Sequence, residues 1–204
     1  MPLPPTRPAL RERYDRRQRE VVDSAARLFA EQGYESTSMA DLTTATGLAA
    51  GGLYHYFDSK EQLLIRICDR LLEPLLREAR EIVEVDASPE EHLRSLIHAW
   101  VAHIEAHLHH MLVFQQARHV IERESQWRAV RKQRRDFETI LDEVLQRGEK
   151  DGTFRLEDRG LALLALLGMV NYTPQWFRPR GRLSATQIAD GYCDAILRAY
   201  GAGA

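Results

Sequence analysis

The chain has 204 residues and a formal net charge of −2, with 44% hydrophobic and 28% charged residues, a balance that excludes disordered and collagen-like chains and fits a globular protein. The longest apolar run, Leu161 to Val170, is about half the ~20 residues of a membrane span, and the N-terminus has no apolar core of a secretory signal. No membrane contact and a cytoplasmic location are therefore expected, with Cys68 and Cys193 as free thiols and no cofactor or metal.

Taken in chain order, the N-terminus crowds Arg7, Arg11, Arg13, Arg16, Arg17 and Arg19 against only Glu12 and Asp15. This reads as a flexible basic arm over residues 1–18, either an anion contact or a solubilising tail. Val22, Ala25, Ala26 and Phe29 then form a helical stripe that Gly33 ends. Ser38 and Asp41 make a capping-box start; Leu42 and Ala45 supply the buried side before Gly47. Ser59 to Gln62 is a second capping box, opening a long helix in which Pro74 predicts a kink or break. Ser88-Pro89 opens another, through Trp100 and Ile104. One further helix carries Leu112, Val113, Gln116 and Val120, and the next runs from Ser125 toward Gly148 or Gly152. Leu161 to Tyr172 is apolar nearly all round and should be covered by its own domain and by a partner. Ser184 to Gln187 caps the last helix. No alternating strand pattern competes, so the fold expected is all-α, with about nine helices.

Residues Ser38 to Phe57 have the layout of a helix-turn-helix, with Gly47 in the turn and Leu42, Ala45, Leu48, Leu53 and Phe57 as its small core. The other face of the second helix is then free for a DNA groove. A plain helical hairpin is the alternative on pattern alone. The flanking residues are more specific. The stretch "AARLFAEQGYESTSMADLTTATGLAAGGLYHYFDSKEQLL" resembles the DNA-binding domain of the TetR family of bacterial transcription regulators.

That resemblance implies a homodimer joined through its last two helices, a domain over 19–64 that binds near-palindromic operator DNA, and a ligand-binding and dimerisation domain over 65–204. It also implies a repressor released by a small-molecule effector, not an enzyme. Carried over by position, Ser38 caps the first motif helix near a phosphate, Ala49, Ala50, Gly51, Gly52, Tyr54, His55 and Tyr56 form the recognition segment, and Lys60 meets a phosphate. Arg16, Arg17 and Arg19 add backbone contacts. Family members often carry Ser, Lys and Thr where this chain has Ala49, Ala50 and Gly52. Recognition here is expected to lean on the tyrosines, close backbone approach and the arginines.

Beyond residue 71 no catalytic motif is present. "NYTPQWFRPRGRLSATQI" resembles an acyl-CoA-responsive, FadR-like subgroup that controls fatty-acid, aromatic-acid or steroid-ring breakdown. An acyl-CoA thioester would need an apolar channel, for which Trp100, Ile104, Met111, Phe114, Phe137, Met169, Tyr172 and Trp176 are candidates. It would also need cations for its phosphates, for which Arg118, Arg134, Arg178 and Arg180 stand out. Tyr172, Trp176 and Phe177 fit a dimer interface equally. A sensor of lipophilic or cationic drugs that controls an efflux pump is one alternative. The other is an all-α metal protein or enzyme built on the histidines from His98 to His119, with His103, His107 and His110 as ligands.

Overall fold

The computed structural model describes residues 6–123 and 125–201. They form ten α-helices: α1 Pro8–Gln32, α2 Met39–Thr46, α3 Ala50–Tyr56, α4 Lys60–Glu84, α5 Pro89–Ala106, α6 Leu108–Gln116, α7 Arg118–Arg123, α8 Arg128–Asp151, α9 Arg159–Trp176 and α10 Ala185–Tyr200. A 3-10 turn, Ser125–Trp127, precedes α8. The only extended pairing among the described residues is an isolated bridge between Phe154 and Gly201.

The chain forms two compact units, Met1–Leu71 with His109–Val130, and Leu72–Leu108 with Arg131–Ala204. In the first, Val22, Ala25, Ala26 and Phe29 of α1, Leu42 of α2, Leu53 of α3 and Leu63, Leu64 and Ile67 of α4 are buried. α6, α7 and the 3-10 turn, which sequence alone assigns to the C-terminal domain, cluster with these helices. Trp127 is fully buried there, Gln126 bonds to Glu61, and His110 Nε2 lies 3.2 Å from Asp23. Burial raises the Asp23 carboxyl above its ordinary value, against the lowering pull of Arg70, Arg27 and Arg19.

In the second unit α5 packs on α10 and α9, burying Leu93, Leu96, Ile97, Trp100 and Ile104. His92, also buried, lies 2.9 Å from the Val85 carbonyl through Nε2 and 2.6 Å from an Arg147 guanidinium nitrogen through Nδ1. The Phe154 ring stands where a Cβ on Gly148 would be, so that helix position takes glycine alone.

Two expectations fail. The segment read as a flexible arm is helical from Pro8 onward: proline at the first helical position starts α1, and Tyr14, in its second turn, is buried. Of the kink or break expected at Pro74, the break does not occur, since α4 runs on to Glu84. The buried Leu71, Leu72, Leu75 and Leu76 on either side outweigh the one backbone bond that proline removes. A smaller difference lies at Ala117, where the single helix expected divides into α6 and α7.

Candidate nucleic-acid interface

The turn between α2 and α3 is built locally. Ser38 accepts from the Asp41 amide at 3.2 Å, and the Asp41 carboxylate accepts from the Ser38 amide at 2.8 Å and from its hydroxyl at 2.6 Å. These two bonds from Ser38, hydroxyl first, hold the Asp41 carboxyl below its ordinary value. Gly47 then takes the left-handed conformation, φ 65° and ψ 20°, that lets α3 leave at an angle. Leu42, Leu53 and Phe57 form the motif's core as expected, Leu48 is half-buried, and Ala45 is exposed instead of buried.

α3 has no side-chain cap at Ala49. Gly51 and Gly52 lie within the helix, and neither has positive φ. A Cβ at Gly51 would meet nothing within 4 Å, and one at Gly52 only ordinary contact with Leu48. The fold itself therefore does not require these glycines. They leave a bare strip of helix against which another backbone can approach.

The aromatic cluster divides. Tyr54 is 49% exposed and His55 is exposed as well, while Tyr56 is half-buried. The ring of Tyr56 packs 4.9 Å from Tyr14, which also meets His55 edge-on at 5.8 Å. Tyr14 is the residue that sequence reasoning missed. Its helical register places Arg11, three residues earlier, on the same side of α1, while Arg7 precedes the helix with extended backbone. Arg11 pairs with Asp15 at 3.1 Å. Arg16 and Arg19 are exposed on other sides of the helix. Arg17 has an internal partner: it donates to the Thr46 carbonyl at the end of α2 at 3.2 Å, and pairs with Glu20 at 2.8 Å.

Lys60 has a similar inward engagement. Its ammonium donates to the carbonyls of Tyr34, Glu35 and Thr37 at 2.8, 3.2 and 3.0 Å and lies 4.5 Å from the centroid of the Tyr34 ring.

The candidate ligand residues divide between the units. Met111, Phe114 and Arg118 belong to the first, with Met111 buried and Arg118 exposed, paired with Glu122 at 2.7 Å. In the second, Trp100, Ile104 and Phe137 are buried together, the Trp100 and Phe137 rings meeting edge to face at 4.9 Å. Arg134 lies 3.4 Å from Glu138, and Met169 is half-buried. Tyr172, Trp176, Arg178 and Arg180 are exposed; Trp176 and Arg178 line a hollow of about 240 Å³ with Arg182.

The histidines take separate partners: His98 pairs with Asp190 at 3.0 Å, and His119 with the Gln116 carbonyl at 3.1 Å. The His103 and His107 rings lie 4.5 Å apart, but no three metal-ligating side chains converge among the described residues.

Comparison with known proteins divides the chain by sequence instead, leaving residues 109–130 with the C-terminal part. Residues 21–67 match the family described as bacterial regulatory proteins of the tetR family, and residues 86–200 match the tetracyclin repressor-like C-terminal domain. The chain belongs to the TetR family. The HTH-type transcriptional repressor KstR2 of Rhodococcus jostii is 31% identical over 183 residues, 89% of each chain. Among solved structures, the ketosteroid transcriptional regulator KstR2 of Mycobacterium tuberculosis superposes with a TM-score of 0.86 at 27% identity, covering 91% of this chain and 95% of that one. AibR in complex with isovaleryl coenzyme A and operator DNA does so with a TM-score of 0.77 at 28% identity, covering 88% and 97%. This TetR-family chain is thus a DNA-binding transcriptional regulator of the KstR2-like kind, whose family binds operator DNA as dimers. Among its described residues no helix is long and apolar enough to cross a membrane.

Proposed function

We propose that this regulator is a repressor that an acyl-CoA thioester releases from a near-palindromic operator, and that it governs genes of lipid, aromatic-acid or steroid breakdown. The observation that carries this reading is the extent of the likeness. It runs through the C-terminal domain as well as the DNA-binding domain, to a ketosteroid regulator and to a protein captured with an acyl-CoA. A drug sensor coupled to efflux is not favoured by those relatives.

Tyr54, His55 and the Gly51–Gly52 strip form the face that enters the groove, with Tyr56 braced on Tyr14 behind it. Ser38, Arg16 and Arg19 are exposed for backbone contacts, Arg11 joins them on α1, and Arg7 is exposed just before that helix. The apolar stripe on α9 supports dimerisation through the last two helices. Effector release then requires that the ligand bind the released conformation more tightly than the DNA-bound one.

A gel shift with the DNA upstream of the protein's own gene tests operator and effector in separate lanes. Retardation that isovaleryl-CoA or a steroid-acid CoA ester abolishes, and that free CoA leaves intact, is the expected result. Retardation that no CoA ester disturbs would remove the effector assignment while leaving the DNA-binding reading in place.

A further inference from the structure

We propose that the first two turns of α1 are a second DNA-holding element, in which Arg11 takes a backbone phosphate beside the groove that α3 enters. This rests on the DNA-binding reading and deepens it. Tyr14 fixes where the element lies. Its ring packs 4.9 Å from Tyr56 and 5.8 Å from His55, which fastens α1 to the last turn of the recognition helix. The helix does not begin at this fastening: from Pro8 to Tyr14 it overhangs by about 9 Å at ~1.5 Å per residue. Leu10, one turn before Tyr14 and on the same side, is 47% exposed, whereas Tyr14 is buried. The inward side of the overhang therefore runs out past the packed core, next to the face that Tyr54 and His55 expose.

Charge decides what fits there. Residues 7–13 carry Arg7, Arg11 and Arg13 against Glu12 alone, and the first turn of α1 has no acidic residue. The positive field also reaches Tyr14 itself. Burial, then Tyr56 and Asp15, raise the pKa of its hydroxyl, while Arg11 and Arg66 of α4 pull it down. Guanidinium charges from two helices thus act on the point where α1 is fastened to α3. A polyanion lying along α3 gains from this edge, and a neutral or cationic partner does not. Arg11 is the residue placed to make the contact. It is exposed on the Tyr14 side of α1, and only its Nε is engaged among the described residues, by the two Asp15 carboxylate oxygens at 3.1 and 3.2 Å. An exposed pair one turn apart holds weakly, so both terminal guanidinium nitrogens remain for a phosphate. Phosphates of one strand follow each other every ~3.4 Å along the duplex, so the overhang spans about two or three of them.

The test titrates the full-length protein with two duplexes, the one upstream of its own gene and an unrelated one, over a salt series. Wild type is compared with Arg11→Gln and with Arg13→Gln, which removes the same charge from a side of α1 about 100° away from Tyr14. A phosphate contact at Arg11 lowers the slope of log K against log salt by about 0.9 on both duplexes, and weakens binding about fivefold to tenfold at 0.1 M salt. Arg13→Gln keeps the wild-type slope, and the Tm of both variants is unchanged because both side chains are exposed. Asp15→Asn, which frees the guanidinium, strengthens binding by more in the wild type than in Arg11→Gln. An unchanged slope in Arg11→Gln, or an equal loss in Arg13→Gln, overturns the proposal, since the overhang then adds only diffuse charge. A loss confined to the upstream duplex also overturns it, in favour of base reading by Arg11. Wild type that binds the upstream duplex no better than the unrelated one refutes the choice of operator, and the unrelated duplex still decides Arg11. Wild type that binds neither duplex overturns both readings.

Discussion

At the scale of single residues, the recognition helix is under two demands that its sequence keeps apart. Gly51 weakens α3, because glycine costs about 1 kcal/mol relative to alanine inside a helix, and the protein offers a Cβ there open space. Gly51→Ala is therefore expected to raise stability by about that amount while lowering operator affinity, if the bare strip is where DNA approaches. Denaturant melts and gel shifts on the same preparation check both signs, and a variant that gains stability without losing affinity would clear Gly51 of a recognition role. Tyr14 makes the complementary case from behind the helix. Its hydroxyl is buried with no hydrogen-bond partner among the described residues, while its ring supports Tyr56 and His55. Tyr14→Phe should leave stability equal or slightly higher, because it removes an unsatisfied polar atom. Tyr14→Ala should cost about 3 kcal/mol, and should weaken DNA binding beyond what instability explains. Equal behaviour of the two variants would mean that the ring braces nothing.

Among the elements, α9 is the least explained by its own chain. Asp158 caps it, accepting from the Leu161 amide at 2.9 Å, and Ala162, Leu166, Val170 and Thr173 face the core. On the other side Leu161, Leu164, Tyr172 and Trp176 are 63, 65, 65 and 42% exposed, with Ala165 and Gly168 exposed between them. A stripe this long and apolar on a surface is what a partner subunit would cover, as the proposed dimerisation through the last two helices requires. We expect Leu164→Glu combined with Tyr172→Glu to shift the protein from dimer to monomer by light scattering, with helix content unchanged. A dimer that survives both charges would place the interface elsewhere. This helix was readable from sequence as one needing cover on most sides, and so were the starts of α2, α5 and α10. Capping boxes are local: Ser38 with Asp41, Ser88 with Glu91 and Ser184 with Gln187 lie three residues apart, and all three form. Contacts across the chain could not be read in the same way. Nothing near Lys60 announces the loop at Tyr34, nothing near Arg17 announces the end of α2, and the burial of Tyr14 depends on where α3 comes to lie. Pro74 shows the reverse error, a strong local signal overridden by buried leucines on both sides of it.

At the scale of the whole molecule, release from DNA is a coupling between two ligands, and coupling is reciprocal. α4 carries the chain from the DNA-binding helices into the C-terminal domain, so under the proposed function it belongs to both the part that binds operator and the part that would bind effector. If an acyl-CoA lowers operator affinity by a given factor, saturating operator must lower acyl-CoA affinity by the same factor. A shift of the protein from almost fully DNA-competent to almost fully released asks for about a 10⁴-fold preference of the effector for the released form. A smaller preference gives proportionately partial release. Titration of isovaleryl-CoA into the free protein and into the protein saturated with its upstream duplex measures the factor from the effector's side. Gel shifts across an isovaleryl-CoA series measure it from the DNA side. We expect the two factors to agree and to exceed about tenfold. An effector that binds both forms equally, however tightly, shifts nothing, and that result would reject release by this thioester even though the binding itself is real.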